Sequence, residues 1–327
     1  MELILEIVYI NLLSPLILFF IIGIIATLVN SDLKVPEAFY TGYTMIILFT
    51  IGIQGGTKLK HASLGNMFTV GLAALFLSFL MLVIAYLLIK KVVKFDTPNS
   101  LALAAHYGSV SAVTFVAGLS FLDKMEIPYE DFMPAILVIM EGPAIITAII
   151  LYKYFTQKTG AESSASMVEV VKEAFFGKSI FLLIGGIFIG LVAHEDGLLM
   201  IKPLFGDLFY GVLSIFLLHM GMIATQRIRD LKGLKWYSFA YVFILPIIGG
   251  FIGILVGNFI GLSLGGTFIL GVLTASSSYI AAPAAIEHSI PEANSGIYVG
   301  SSLGLTLPFN LIFGIPIYFW FSSLLVG

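Results

Sequence analysis

Apolar positions along this chain gather in long runs, bounded by short clusters of charged or turn-forming residues. Ten runs can be drawn, at 11–29, 38–56, 66–89, 99–122, 132–155, 178–194, 205–225, 237–261, 267–287 and 296–325. A helix crossing the hydrocarbon core of a bilayer takes about 20 mostly apolar residues, and the runs are of that order. The pattern predicts an all-α, polytopic membrane protein with ten transmembrane helices. Ser14-Pro15 suits a helix start, with the serine as cap and the proline at the first helical position. The opening "MELILEIVYI" has no positive stretch and no small-residue cleavage signal, and reads as part of the first segment rather than a signal peptide.

Composition strengthens this picture. Of 327 residues, 59% are hydrophobic and 11% charged, where a soluble domain carries roughly a quarter charged. With no cysteine, disulfides and cysteine-ligated metals are excluded. The five histidines, His61, His106, His194, His219 and His288, show no two-histidine metal spacing. Alternating the loops between two sides leaves Lys58, Lys60, Lys124 and Lys202 on one side and the other twelve of the sixteen cations opposite. The cation-rich side marks the cytoplasm, so both termini are expected outside. The stretch 156–177, "TQKTGAESSASMVEVVKEAFFG", is then a cytoplasmic linker, its first half flexible and "MVEVVKEAFF" a short amphipathic surface helix.

That linker separates two five-span halves, 1–155 and 178–327, and the halves echo one another. "LFTIGIQGGTKLK" in span 2 answers "LLHMGMIATQRIR" in span 7, "YGSVSAVTFVAG" in span 4 answers "TASSSYIAAPAA" in span 9, and "IMEGPAIITAI" in span 5 answers "GLTLPFNLIFGIP" in span 10. Gly52 and Gly221 are 169 residues apart, Ser109 and Ser276 are 167, and Pro143 and Pro308 are 165. Because five is odd, a second copy must cross in the opposite sense. The expectation is a 5+5 inverted-topology repeat, an architecture of secondary transporters.

The serine clusters at the matched places predict broken helices in spans 4 and 9. Irregular backbone inside hydrocarbon is tolerated only against protein or a lined cavity. A break exposes N–H groups that attract anions and C=O groups that attract cations, and serine hydroxyls add donors and acceptors without charge. Gly108, Ser109, Ser111, Ser276, Ser277 and Ser278 are therefore the candidate substrate residues. Small residues also serve tight helix packing; their recurrence in both halves favours a site. No lysine or arginine lies well inside a span, so an anion there would be held by helix ends and hydroxyls and balanced by a co-transported cation. Glu141 is the acidic residue nearest the middle of a span, which points to an ion or proton pathway. His106 either lines the cavity or packs, with packing favoured; Glu287 and His288 fall at a span end, and His219 has no partner that sequence identifies.

The stretches "YGSVSAVTF", "MEGPAIITAI", "LSIFLLHMGM", "TASSSYIAAP" and "IPEANSGIYVGSS" carry a resemblance. Across about residues 12–325 the chain is similar to the bacterial, cyanobacterial-type sodium-dependent bicarbonate transporter family. The resemblance implies a gate domain (spans 1, 2, 6 and 7) and a core domain (spans 3–5 and 8–10), elevator-like transport, a homotrimer and a plasma-membrane location. It places the serines above on a bicarbonate pocket, and Ser111, Thr114, Glu141, Thr147, Ser301 and Ser302 in or near a sodium site. Two positions depart from the family pattern, which has aspartate where Glu141 and Tyr279 stand here. A cytosolic PII-like regulator goes with a longer linker than this one.

The expected function is sodium-coupled symport of bicarbonate or a similar small anion, with sodium as coupling ion and no other cofactor or metal. A proton-coupled transporter of another small organic anion and a passive anion channel are the alternatives. No enzyme activity and no nucleic-acid partner are expected.

Overall fold

In the computed structural model, residues 9, 11–60, 64–157, 177–229, 231 and 239–326 are described. The expected amphipathic helix and nearly all of the linker, at 158–176, lie outside the described residues, as do His61, Lys232 and Lys235. Among the described residues there is no strand. The helices are α1 Pro15–Leu28, α2 Glu37–Leu59, α3 Leu64–Leu87, α4 Thr97–Gly108, α5 Ala112–Lys124, α6 Met133–Glu141 and α7 Pro143–Gln157. They continue with α8 Lys178–Val192, α9 Glu195–Lys202, α10 Phe209–Arg229, α11 Tyr241–Phe259, α12 Leu264–Ala275 and α13 Ala281–Ser289. A last helical run, α14, covers Ser295–Val326 and widens into π turns at Gly300–Thr306 and Asn310–Gly314.

Each of the ten apolar runs overlaps helix, and the runs 99–122, 132–155 and 267–287 each hold two helices. Among the described residues seven helical stretches are long and apolar enough to cross a membrane, and Pro15–Leu28, Lys178–Val192 and Leu264–Ala275 are apolar but shorter. Pro15 is the first residue of α1, as expected, but the Ser14 side chain makes no capping bond. One element departs from the sequence reading. Residues 195–202 were expected as loop and form α9, whose first turn carries Glu195 and Asp196 and whose last carries Lys202, charges that suit the helix dipole at each end. It buries none of its residues.

Packing explains where the glycines stand. α1 lies along α10, and α2 along α8. A Cβ on Gly52 would come within 2.5 Å of the Leu183 carbonyl oxygen and 2.8 Å of the Gly186 Cα, so the α2–α8 backbones touch there. Gly221, its sequence counterpart, lets α10 meet the Phe20 carbonyl of α1 in the same manner. Small residues permit such approach between helices in lipid. The remaining helices show a second set of matched pairs, α3 along α4 and α11 along α12. On the outer surface Phe68, Leu72, Phe76, Phe79 and Val83 of α3 stay exposed, a stripe suited to lipid.

The interrupted helices are the most enclosed. Ser100–Gly108 in α4, Ala112–Gly118 in α5 and Gly265–Ala275 in α12 are buried throughout. A helix that is buried all round has protein on every side, and backbone may depart from helix there without meeting lipid.

Candidate functional site

Two chain breaks meet at the centre of this enclosed region. α4 ends at Gly108, Ser109 (φ −95°, ψ 177°) and Ser111 (φ −116°, ψ 116°) are extended, and α5 starts at Ala112. α12 ends at Ala275, Ser276 is extended (φ −79°, ψ 168°), and α13 starts at Ala281. Between them run two reciprocal hydrogen bonds: the Ser111 N–H donates to Ser276 Oγ at 2.9 Å, and the Ser278 N–H donates to the His106 carbonyl at 2.9 Å. The new helix starts are capped by the same serines. Ser111 Oγ accepts from the Thr114 N–H at 3.1 Å and bonds Thr114 Oγ1 at 3.0 Å, while Ser278 Oγ accepts from the Ala282 N–H at 3.1 Å.

Ending a helix inside the protein also strands carbonyls. Ser78 Oγ donates to the Gly108 carbonyl at 2.7 Å, and Asn310 Nδ2 donates to the Ala275 carbonyl at 3.0 Å. Asn310 is itself held by the Tyr318 hydroxyl at 2.9 Å. Ser109 Oγ donates to the Glu141 carbonyl at 2.6 Å, and Ser276 Oγ to the Leu273 carbonyl at 2.7 Å. Sequence reasoning passed over Ser78, Asn310 and Tyr318. The one available signal for Asn310 was an amide in the apolar run "LPFNLIFG".

A small cavity opens at the breaks, lined by Val110, Ser111, Ala112, Glu141, Ser179, Ser278, Tyr279 and Ile280. It has room for about one water-sized group. No lysine or arginine lines it. The N-termini of α5 and α13 lie at its edge, each bringing the positive end of a helix dipole. Glu141 is buried and its Oε2 has no hydrogen-bond partner. The Tyr279 hydroxyl, beside Ser111 but without a bond of acceptable geometry, also has none. Ser179 reaches the cavity from α8, a helix outside the broken pair.

The arrangement sets two helix N-termini, which favour negative charge, and a carboxylate, which favours a cation or a proton, around one small space. The model of the Na+-dependent bicarbonate transporter superfamily matches residues 15–323. The chain belongs to that superfamily. No curated protein matches the chain. Membership makes the chain a multi-pass membrane protein of a transporter family rather than an enzyme family, with bicarbonate and sodium as the family's substrates.

Set against that family, the expected site residues fall into two groups. Ser111, Ser278 and Glu141 line the cavity. Gly108 is the last residue of α4, Ser109, Ser276 and Ser277 sit in the breaks, and Thr114 is tied to Ser111. Thr147, Ser301 and Ser302 are not among the lining residues. Thr147 Oγ1 donates within its helix to the Pro143 carbonyl at 2.8 Å, Ser301 Oγ pairs with the Tyr241 hydroxyl at 2.6 Å, and Ser302 Oγ donates to the Tyr298 carbonyl at 2.7 Å. Tyr241 in turn packs on Tyr107, whose hydroxyl meets Thr306 Oγ1 at 2.7 Å, so this hydroxyl network reaches α4 one residue before Gly108. His106 is packed: its Nδ1 bonds the Ala102 carbonyl at 2.7 Å and its ring lies 4.8 Å from that of Tyr298. Glu287 and His288 are exposed at the end of α13. His219 has the partner that sequence did not identify, the Tyr43 hydroxyl at 2.8 Å.

Proposed function

We propose that this chain is a sodium-coupled symporter of bicarbonate or a similarly small oxyanion. The observation that carries the reading is the meeting of the two breaks, cross-bonded through Ser111, Ser276, Ser278 and His106, around a cavity without a basic side chain. The anion sits against the starts of α5 and α13, and sodium sits by Glu141, Ser111 and Thr114. Ten crossings arise from two five-helix units of opposite orientation, supported by the matched packing of α1 on α10 with α2 on α8 and of α3 on α4 with α11 on α12. In this reading α1, α2, α8 and α10 form the gate, and α3–α7 with α11–α14 form a core that carries the site past it like an elevator. Ser179 of α8 in the cavity wall supports an anion enclosed between core and gate. The orientation with both termini outside is supported by the loop cations, and the plasma-membrane location comes to the reading through the family. Homotrimeric assembly and a PII-like regulator belong to the reading through the family alone.

Uptake of labelled bicarbonate into proteoliposomes tests it. An inward sodium gradient drives uptake, and Ser276→Ala or Ser111→Ala lowers it about tenfold or more, the worth of one hydrogen bond to a charged ligand. Equal uptake when potassium replaces sodium would remove sodium from the mechanism. The unpartnered Glu141 Oε2 favours a second reading, in which Glu141 carries a proton. Uptake that follows an imposed pH gradient and ignores sodium would select it.

A further inference from the structure

A crevice of about 420 Å³ opens between α1 and α10 on one side and α11 and α14 on the other. Its walls are apolar, and the rings of Phe243, Phe309 and Phe313 form a ladder along one of them, with centroids 5.4 and 6.3 Å apart. Along α14 the lining runs from Gly304 to Phe313, roughly 13 Å of helix. Half the hydrocarbon core of a bilayer is about 15 Å deep. Leu28 and Arg229, both in the lining, are the last residues of α1 and α10, and Phe243 stands near the start of α11. The crevice therefore lies at the cation-rich ends of these helices, the side read above as cytoplasmic.

Arg229 is the charged residue of the lining, and it is exposed. Among the described residues it enters no ion pair. Its guanidinium offers a planar fork of donors that fits a phosphate. Two other crevices lack this combination: the one beside α9 mixes Lys58 and Lys202 with Glu195, and the one between α2 and α10 has no charged residue. A ligand that suits the α1–α14 crevice has an apolar chain about one leaflet long and a negative headgroup where the chain ends. We propose that the crevice binds an anionic phospholipid of the cytoplasmic leaflet, with one acyl chain along the phenylalanine ladder and the phosphate on Arg229. Basic residues just cytoplasmic of a membrane helix attract such headgroups. The site shares no residue with the cavity at the chain breaks. In the symporter reading α1 and α10 belong to the gate and α11 and α14 to the core, so the lipid lies in the joint that transport must move.

Native mass spectrometry of the purified full-length protein in detergent, with phosphatidylglycerol or phosphatidylcholine of the same acyl chains added, tests the site. Phosphatidylglycerol should bind at least about fivefold more tightly, the worth of one basic contact near a membrane surface. Arg229→Gln should remove that preference. Arg227→Gln, an equal loss of charge just outside the lining, should keep it. Ile24→Trp, which fills the crevice from a half-buried position on α1, should weaken both lipids. Equal binding of the two lipids by the parent, a preference that survives Arg229→Gln, equal losses in the two arginine variants, or parental affinity in Ile24→Trp overturns the proposal. Should Ile24→Trp fail to fold, the parent and the arginine variants decide alone. None of these outcomes bears on the oxyanion reading, which uptake tests separately.

Discussion

Asn310 and Ser78 each send one side chain to one carbonyl, and those carbonyls are the last of α12 and α4. Both side chains are fully buried. Neither contact was legible in the sequence, because Asn310 stands 35 residues from Ala275 and Ser78 stands 30 from Gly108. Only folding brings them together. Asn310→Leu or Ser78→Ala leaves a buried carbonyl without its partner and should destabilise the protein by about 1–3 kcal/mol. Thermal unfolding of the purified variants reads this, with Ser322→Ala as reference. Ser322 donates within α14 to the Tyr318 carbonyl, inside continuous helix, so its loss leaves no chain end bare. Shifts no larger than that of the reference would show that the two side chains do not hold the breaks. The serines of the breaks were legible for the opposite reason: polar residues inside an apolar run are expensive in lipid unless something uses them.

Among elements, the helix pairs depend on glycine at the contact. Gly52 and Gly221 were marked in the sequence by their constant offset, and each proves to be where two backbones touch. Their partners, Gly186 on α8 and Phe20 on α1, carried no mark, since a contact between distant segments has no local pattern. Gly52→Val and Gly221→Val should each push a helix pair apart and cost about 1–3 kcal/mol, seen as a lower unfolding temperature. Gly42→Ala on α2, where an added Cβ meets nothing within 4 Å, serves as the comparison and should not destabilise. Similar behaviour of all three would mean that the close approaches are not tight. α9 was missed because eight amphipathic residues between two apolar runs look like a charged loop. Its pattern is too short for periodicity to separate it from its neighbours.

At the scale of the whole molecule, opposite orientation of the two halves is the proposition that gives the breaks their meaning. The sequence has no cysteine, so single cysteines can report sidedness directly. Asp32 and Asp196 are both exposed and stand after the first run of each half. In intact cells Asp196→Cys should react with a membrane-impermeant maleimide, and Asp32→Cys should react only after permeabilisation. Labelling of both from outside, or of neither, would contradict inverted halves. The matched helix pairs lead to the same expectation, since α1 on α10 and α2 on α8 exchange places when one half is rotated onto the other.

Apolar runs of bilayer length, polar residues that interrupt them and the offset between the halves are local or strictly periodic features. They let the sequence alone determine an all-helical membrane chain, the positions of its two breaks and the residues in them. Which polar atoms satisfy which was decided by tertiary structure. The Ser111–Ser276 and Ser278–His106 bonds, the carbonyl partners Ser78 and Asn310, and the cavity shared by Glu141 and Tyr279 all join segments far apart in the chain. A buried hydrogen bond is a statement about two groups at about 3 Å. Spacing along one strand of sequence holds no record of that distance until the helices have packed.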